Sequence, residues 1–595
     1  MKVVMLMFDT LNRRSLSAYG NKWIKTPNFD RLAEKTVMFN NFFSGSLPCM
    51  PARRELHTGR YNFLHRSWGP MEPFDFSMPE TLKNNGIYTH LVTDHSHYFE
   101  DGGATYHNRY NTWEGFRGQE GDRWKGKIGD IDIPEQIETG KKGISFKQNW
   151  INRNYQKNEE EFSGTKVINA GIEFITENIN EDKWFLQIEE CFDPHEPFYS
   201  PEKYKELYKH EYNGKFFDWP SYKPVTESEE EIEHLNYEYA ALLSMCDAQL
   251  GKVLDTMDKY NMWKDTMLIV NTDHGFLLGE HGWLGKNMEP VYNEVAHIPF
   301  FIWDPRFEIK NETRNSLAQT IDLPATILEY FNVELPETMQ GKPLRKAIEK
   351  KEDIRKAGLF GIYGGHINVV NNEYIYMRAP ICPENTPLYE YTLMPAKMRG
   401  FFSKKQLENT ELVNGFKFTN GISVLKTFGE LESSLYRFGN KLFHRKNDPL
   451  QEKNLDNIEA EEKLTEIMRE LMLESEAPDE QYERIGIYKD RKITAEELTV
   501  QKEARIKREK SGINENIIIS DKVLAQINII KGIIRNKEDR KYFLKEINSM
   551  YEEKKVMELK EEDILKIADS VTGKLNLGDK KKVLMDSIKY ADVKE

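Results

Sequence analysis

A chain of 595 residues with 39% hydrophobic and 12% aromatic residues has enough apolar surface for a sizeable core, which excludes an intrinsically disordered protein, and its length allows roughly three or four domains. The formal net charge of -14 lacks the basic surplus of a nucleic-acid binder, so no nucleic-acid partner is expected. Four scattered cysteines, Cys49, Cys191, Cys246 and Cys382, make neither a disulfide framework nor a cysteine metal clip, and predict reduced thiols and a cytoplasmic location.

In chain order, the apolar run 3–8 comes first and is closed at once by Asp9. It is shorter than the apolar core of a signal peptide and reads as a first β-strand. No apolar stretch is long enough to cross a bilayer, so no membrane partner is expected. Thr26-Pro27 predicts a helix start, a capping residue before a proline at the first helical position. Ser77-Met78-Pro79-Glu80 repeats that signal, and Gly86 closes the helix. Residues 88–93, 184–188, 267–271 and 299–303 read as further strands. Leu242, Leu243, Leu250, Val253, Leu254 and Met257 recur at helical spacing, and Asp322-Leu323-Pro324 opens another helix. This alternation predicts an α/β fold over residues 1–355, a large mostly parallel central sheet flanked by helices.

From Gly358 the pattern changes to short strands at 360–363, 367–370 and 374–378, with 435–438 and 441–444 read as a hairpin around Gly439-Asn440. Residues 356–495 are therefore expected to form a smaller C-terminal α+β domain with an antiparallel sheet. Residues 496–595 read as a helical C-terminal extension packed on the body. Its first apolar stripe is Val523, Leu524, Ile527, Ile530 and Ile534; Ile564, Leu565 and Ile567 start a second.

Three segments carry chemistry. In Pro48-Cys49-Met50-Pro51-Ala52-Arg53, Pro51 suits a first helical turn, which puts Cys49 at a helix N-terminus. Free N–H groups and the positive dipole end favour an anion there, and Arg53 adds a rigid fork of donors. Asp9-Thr10-Leu11 follows the first strand, and Asn271-Thr272-Asp273-His274-Gly275 follows a later one. Ligands gather at the carboxyl ends of the strands of an open α/β sheet. Two carboxylates and an imidazole make a donor set for a divalent metal. Taken singly, Asp9 or Asp273 reads as a cap or turn acid and Cys49 as a buried thiol; taken together they read as a metal site.

Cys49-x-Pro51-x-Arg53 followed by Thr58-Gly59-Arg60 resembles the signature of the type I formylglycine-dependent sulfatases of the alkaline phosphatase superfamily. The resemblance runs over residues 1–455, where Leu435-Tyr436, Asn447-Asp448-Pro449 and Asn454-Leu455 are similar to the family's closing pattern. It implies an alkaline phosphatase-like fold and conversion of Cys49 to formylglycine by a sulfatase-maturating, formylglycine-generating enzyme. It also implies one divalent metal on Asp9, Asp273, His274 and residue 49. Calcium is typical of the family, and manganese suits an imidazole ligand. By the same resemblance, Gly279-Glu280-His281-Gly282-Trp283-Leu284-Gly285-Lys286 ends in a sulfate-binding lysine. Phe192-Asp193-Pro194-His195 supplies a histidine that contacts sulfate and protonates the leaving oxygen. Thr93-Asp94-His95-Ser96-His97 puts His97 where the family has a histidine and His95 where it has a lysine. Cys49, Arg53, His97, His195 and Lys286 are thus the catalytic candidates. His95, with His366 and Arg378 from the smaller domain that borders the family's cleft, are the substrate-binding candidates.

Two departures stand out. Thr10 replaces a second aspartate common in sulfatases, and His274 replaces an asparagine, a pattern that resembles the phosphonate monoester hydrolase branch. The expected activity is hydrolysis of a sulfate ester on a small sulfated saccharide, with a phosphonate monoester or phosphodiester hydrolase as the alternative. Tyr98, Phe99, Phe198 and Tyr199 flank the motif loops, and sugar faces stack on such rings. An unmodified Cys49 would instead leave a metal-containing binding protein. A serine hydrolase is disfavoured because no G-x-S-x-G elbow occurs. A homo-oligomer is compatible with the sequence.

Overall fold

In the computed structural model, which describes residues 1–134, 137, 143–189, 193–430, 435–510, 513, 517–533, 537–554 and 558–574, the first apolar run forms Lys2–Phe8 (β1), buried along its whole length. Seven more strands join it in the central sheet: Val37–Phe39 (β2), Tyr88–Thr93 (β3), Thr112–Gly115 (β4), Trp184–Glu189 (β5), Thr266–Thr272 (β6), Phe301–Trp303 (β7) and Glu312–Arg314 (β8). The order is β8-β2-β7-β6-β1-β5-β3-β4. Only β7 runs antiparallel to its neighbours, so the sheet is mixed and mostly parallel, as the alternation predicts.

Strand β1 sits between two hydrophobic layers, which is why it reads as a continuous apolar run. Val4, Leu6 and Phe8 point into one cluster with Phe29, Leu32, Val167 and Leu243, from the helices Pro27–Lys35, Ser163–Glu177 and Glu229–Lys259. Val3, Met5 and Met7 point into the other with Met50, Leu82 and Ile327, from the helices Cys49–Thr58, Met78–Asn84 and Asp322–Tyr330. Both proline-marked helix starts are present, but neither Thr26 nor Ser77 caps with its side chain. The Thr26 hydroxyl instead accepts from Ser17 N, and Ser77 pairs with His57 Nδ1.

The parallel register decides where the chemistry lies. Phe8 stands opposite Thr272, Met7 opposite Glu189, and Thr93 opposite Glu189. The loops that begin at Asp9, Asp273 and Asp94, and the end of β5, therefore open on one edge of the sheet.

A second sheet is built from Ala357–Ile362, Ile367–Asn371, Tyr374–Arg378 and Lys441–His444. Its last strand is Ser46–Leu47, paired in parallel with Gly361 and Ile362. The residues just before Cys49 thus belong to the smaller sheet and those after it to a helix of the larger layer. The hairpin reading of 435–438 is corrected: Leu435–Phe438 is a 3-10 turn, and Lys441–His444 pairs with Tyr374–Arg378 instead. Gly439, at φ 64°, closes the turn with its N–H on Tyr436 O. The helix Ile458–Glu474 covers this sheet, with Leu464, Met468 and Met472 against Leu359 and Val369.

In the C-terminal helices, Val523, Ile527, Ile530, Phe543, Ile547, Ile564 and Ile567 form a core of their own. Arg505 ties the preceding helix to the body by donating to Tyr436 O. Ile534, Cys191 and Phe192 lie outside the described residues. No helix among the described residues is long and apolar enough to cross a membrane.

Candidate active site

Asp9, Cys49, Asp273 and His274 come together at the carboxyl edge of the central sheet. One ligand atom from each lies within 4.8 Å of all the others, and all four residues are buried. Cys49 Sγ is 3.1 Å from His274 Nε2 and 3.9 Å from Asp9 Oδ1. His274 Nε2 is 3.4 Å from Asp273 Oδ2. His274 Nδ1 donates to Gly275 O at 3.0 Å, which fixes the tautomer and turns the Nε2 lone pair into the cluster. Asp273 Oδ1 accepts from His274 N at 2.7 Å and from Thr10 N at 3.2 Å, so one oxygen is anchored and the other faces inward. Two anchored carboxylates, a thiol and an imidazole whose Nε2 lone pair faces them fit a divalent cation.

Arg53 holds the cluster from behind. Its Nη1 donates to Asp273 Oδ2 at 2.6 Å and to Cys49 O at 3.1 Å, and its Nη2 to Asp9 Oδ2 at 3.1 Å. Its Nε donates to Glu189. Burial opposes the charge, but Glu189, Asp273 and Asp9 together hold the guanidinium pKa well above its ordinary value. Glu189 is a residue that sequence reading missed. It ends β5, where an acid looks like an ordinary strand terminus, and Tyr98 OH donates to its other oxygen at 2.8 Å. Only the register shows it: the acid closes a buried strand next to β1, level with Met7 and two residues short of Asp9.

The thiol of Cys49 is shaped by the same surroundings. Burial, and then Asp9, push its pKa well above the ordinary value. Against the burial that would raise it, His274, Arg53 and Lys286 hold Asp273 below the usual carboxylate range. Lys286 donates to Thr10 Oγ1 at 3.3 Å and sits 3.7 Å from Glu196 Oε2. Thr10 Oγ1 in turn donates to Asp9 Oδ1 at 2.7 Å. Thr10 thus links the lysine to a metal-ligand candidate in place of a second acid, with its backbone in the left-handed region at φ 64°.

The three histidines before and after β5 are not equivalent. His195 Nδ1 donates to Glu196 O, and burial with Lys286 nearby lowers its pKa well below the ordinary value. His97 Nδ1 pairs with Glu100 Oε2 at 2.7 Å, and Glu100 accepts from Arg399 Nε at 2.7 Å. His95 stands edge-on to His97, with ring centroids 5.1 Å apart, and its Nε2 lies 3.1 Å from Met50 Sδ. Burial, together with Arg53, pushes His95 well below its ordinary pKa. It is brought to the site as a neutral ring and does not replace the charge of a lysine.

His366 and Arg378 are not brought to the cluster. His366 is 1% exposed and its Nε2 donates to Gly439 O at 2.8 Å. Arg378 is 1% exposed and donates to Ile485 O at 2.8 Å, Gly486 O at 3.1 Å and Gln501 Oε1 at 2.6 Å. Both fasten the smaller sheet to the segments packed on it, which corrects their reading as substrate contacts. Arg378→Ala is expected to cost about 1–3 kcal/mol of stability, through the carbonyls it leaves unpaired. KM for a small ester should stay unchanged; a raised KM at unchanged stability, read from chemical denaturation, would contradict this. The sugar-stacking reading of Tyr98 and Phe198 is corrected as well. Tyr98 is 2% exposed and Phe198 fully buried, both inside hydrophobic clusters.

The family model described as Sulfatase matches residues 2–333. A second, described as N-sulphoglucosamine sulphohydrolase, C-terminal, matches residues 279–414. An arylsulfatase of Clostridium perfringens is 22% identical over 380 residues, which cover 59% of this chain and 78% of that one. A protein solved in complex with its substrate D-glucosamine-2-N,6-O-disulfate matches at a TM-score of 0.55 and 14% identity, over 80% of this chain and 98% of that one. The phosphonate monoester hydrolase of Agrobacterium radiobacter matches at a TM-score of 0.53 and 17% identity, over 81% and 96%. At these identities the two structural likenesses speak for the fold.

Proposed function

This chain belongs to the sulfatase family and is a sulfuric ester hydrolase, and from that premise we propose that it cleaves the sulfate ester of a small sulfated saccharide with a formylglycine nucleophile made from Cys49. The observation that supports this reading is the convergence of Asp9, Asp273 and His274 on Cys49 within 4.8 Å, with Lys286 and Arg53 beside them. Asp9, Asp273, His274 and the side chain at position 49 would hold one divalent cation, calcium as the family suggests or manganese as the imidazole suits. The cation would supply Lewis-acid charge stabilisation and a lower pKa for an oxygen bound to it. Formylglycine, once hydrated, would supply two hydroxyls at position 49, one to attack sulfur and one to release sulfate afterwards.

The remaining roles belong to this chain's own side chains. Lys286, kept charged by the acids Glu196 and Asp9 against its burial, faces the non-bridging oxygens of the ester. Arg53 cannot turn toward substrate without abandoning three carboxylates, so it orients Asp9 and Asp273. Such fixed charges stabilise the transition state without reorganising. His195 is the proton donor to the departing alcohol. Burial and Lys286 lower its pKa at rest, so in this reading the negative ester raises it again and lets the ring carry the proton. His195→Asn is therefore expected to lower kcat by about 10²–10⁴ on alkyl sulfates, and far less on an aryl sulfate whose leaving group needs no proton. Equal losses on both would remove His195 from that role.

Saccharide specificity draws support from the sugar disulfate bound by the structural neighbour named above. The free thiols of Cys49, Cys246 and Cys382 support a cytoplasmic setting, and the fully buried Cys49 helix supports a maturating enzyme that acts before the chain folds. The second reading, a phosphonate monoester or phosphodiester hydrolase, is favoured by the Asp273-His274 pair and the absence of an acid at position 10. Matured enzyme assayed side by side on sulfated saccharides, aryl sulfates and phosphonate monoesters tests both. Prior removal of metal by a chelator should abolish turnover, and the cation that restores it identifies the metal. Retention of full activity after chelation would rule out the metal site, and faster turnover of phosphonates would favour the second reading.

A further inference from the structure

Next to the loop that carries Asp273 and His274 lies a cleft of about 130 Å³, lined by none of the catalytic candidates. That is roughly ten times the space a single water needs. Asn12, on its wall, ties it to the loop through Phe276, accepting from Phe276 N at 2.7 Å and donating to Phe276 O at 3.0 Å.

Two side chains on the wall of the cleft stand out. Trp23 is 45% exposed, yet its ring is held by near-perpendicular contacts with Tyr208 and Tyr237, at 5.9 and 5.7 Å. A half-exposed indole fixed in this way is an apolar platform beside water, the surface on which the C–H face of a sugar stacks. Arg13 stacks on Tyr19, with its guanidinium 4.2 Å from the ring centroid. Apart from Tyr19 it has no charge partner, since it forms no ion pair among the described residues. The acids of the cleft do not serve Arg13: Glu294 is taken by Arg14 at 2.6 Å and His281 at 3.2 Å, and Glu280 accepts from Leu278 N at 2.6 Å. Here a cation without a carboxylate partner and a half-exposed aromatic face share one cleft.

We propose that this cleft is a second saccharide site, separate from the Cys49 site, which takes a sugar ring bearing a sulfate or carboxylate. The ring lies on Trp23 and the anionic substituent meets Arg13. A neutral sugar would leave Arg13 without a counter-charge, and an inorganic anion would leave Trp23 unused.

Calorimetric titration of full-length Cys49→Ala protein with D-glucosamine-2-N,6-O-disulfate tests this without any turnover. One binding event should weaken roughly tenfold or more in Trp23→Ala and in Arg13→Gln, and persist in Trp23→Phe, Arg13→Lys and Lys286→Ala. Glucosamine and inorganic sulfate should each bind that site far more weakly. An isotherm identical in the Cys49→Ala parent and in its Trp23→Ala and Arg13→Gln derivatives, all with native circular dichroism, overturns the proposal, as does inorganic sulfate binding as tightly as the sugar. A failure of the proposed catalytic reading would remove only the event that depends on Lys286, so the two outcomes are distinguishable.

Discussion

Cys49→Ala is expected to lower turnover of a sulfate ester by about five orders of magnitude or more, the scale seen when a nucleophile is removed, at a stability cost of about 1 kcal/mol. The small cost follows from what the side chain does in the fold. Its backbone starts the Cys49–Thr58 helix and its carbonyl accepts from Arg53, and neither role needs the sulfur. The large loss follows from what surrounds it, since no other nucleophilic side chain belongs to the metal-ligand cluster. The same reasoning reaches the unmodified protein. In the metal-free protein burial and Asp9 raise the thiol pKa well above its ordinary value, and a thiol, with or without a cation, lacks the second hydroxyl that releases sulfate in the proposed scheme. Protein made without a maturating enzyme should therefore be as inactive as Cys49→Ala. Turnover should rise in proportion to the fraction of the Cys49 peptide whose mass has fallen by the difference between a thiol and an aldehyde. Full turnover with an unconverted thiol would overturn the formylglycine scheme.

The sequence makes the cluster of Asp9, Cys49, Asp273 and His274 legible because each lies within a few residues of a strand end or helix start, where local patterns are strongest. The run 3–8 closed by Asp9, and the proline two residues after Cys49, place those side chains without tertiary information. Glu189 was hidden for the opposite reason. Its role depends on the register between β5 and β1, which no local pattern encodes. His366 and Arg378 failed in the other direction. A histidine and an arginine near turns of a smaller sheet look like substrate contacts, but the carbonyls of Gly439, Ile485 and Gly486 come from segments far along the chain and claim them. Leu435–Phe438 shows the same limit, because its length and its glycine suit a hairpin, while Lys441–His444 finds a longer partner in Tyr374–Arg378.

Arg53→Ala carries the second large effect, and it falls on stability as well as on rate. The guanidinium is 1% exposed and is the shared counterion of Asp9, Asp273 and Glu189. Removing one partner of a buried ion pair leaves uncompensated charge and costs about 3–5 kcal/mol. Here three carboxylates lose the same partner, so the upper end of that range is expected in metal-free protein. Arg53→Lys should fall between, since an ammonium keeps the charge but cannot span three acids with a planar fork. The position of Arg53 makes the loss depend on metal. Asp9 and Asp273 are also the metal-ligand candidates, and without Arg53 they present more negative charge to a cation. A ligand that binds only the folded state stabilises it by about 2.7 kcal/mol at a hundred times its Kd. Saturating calcium or manganese should therefore stabilise Arg53→Ala more than wild type, although kcat stays about 10²–10³ lower because the acids are no longer held in register. Denaturant titrations of both proteins with and without the cation measure all four states. An equal metal-induced gain in the two would show that Arg53 and the cation do not share Asp9 and Asp273, and the proposed metal site would fall with that result.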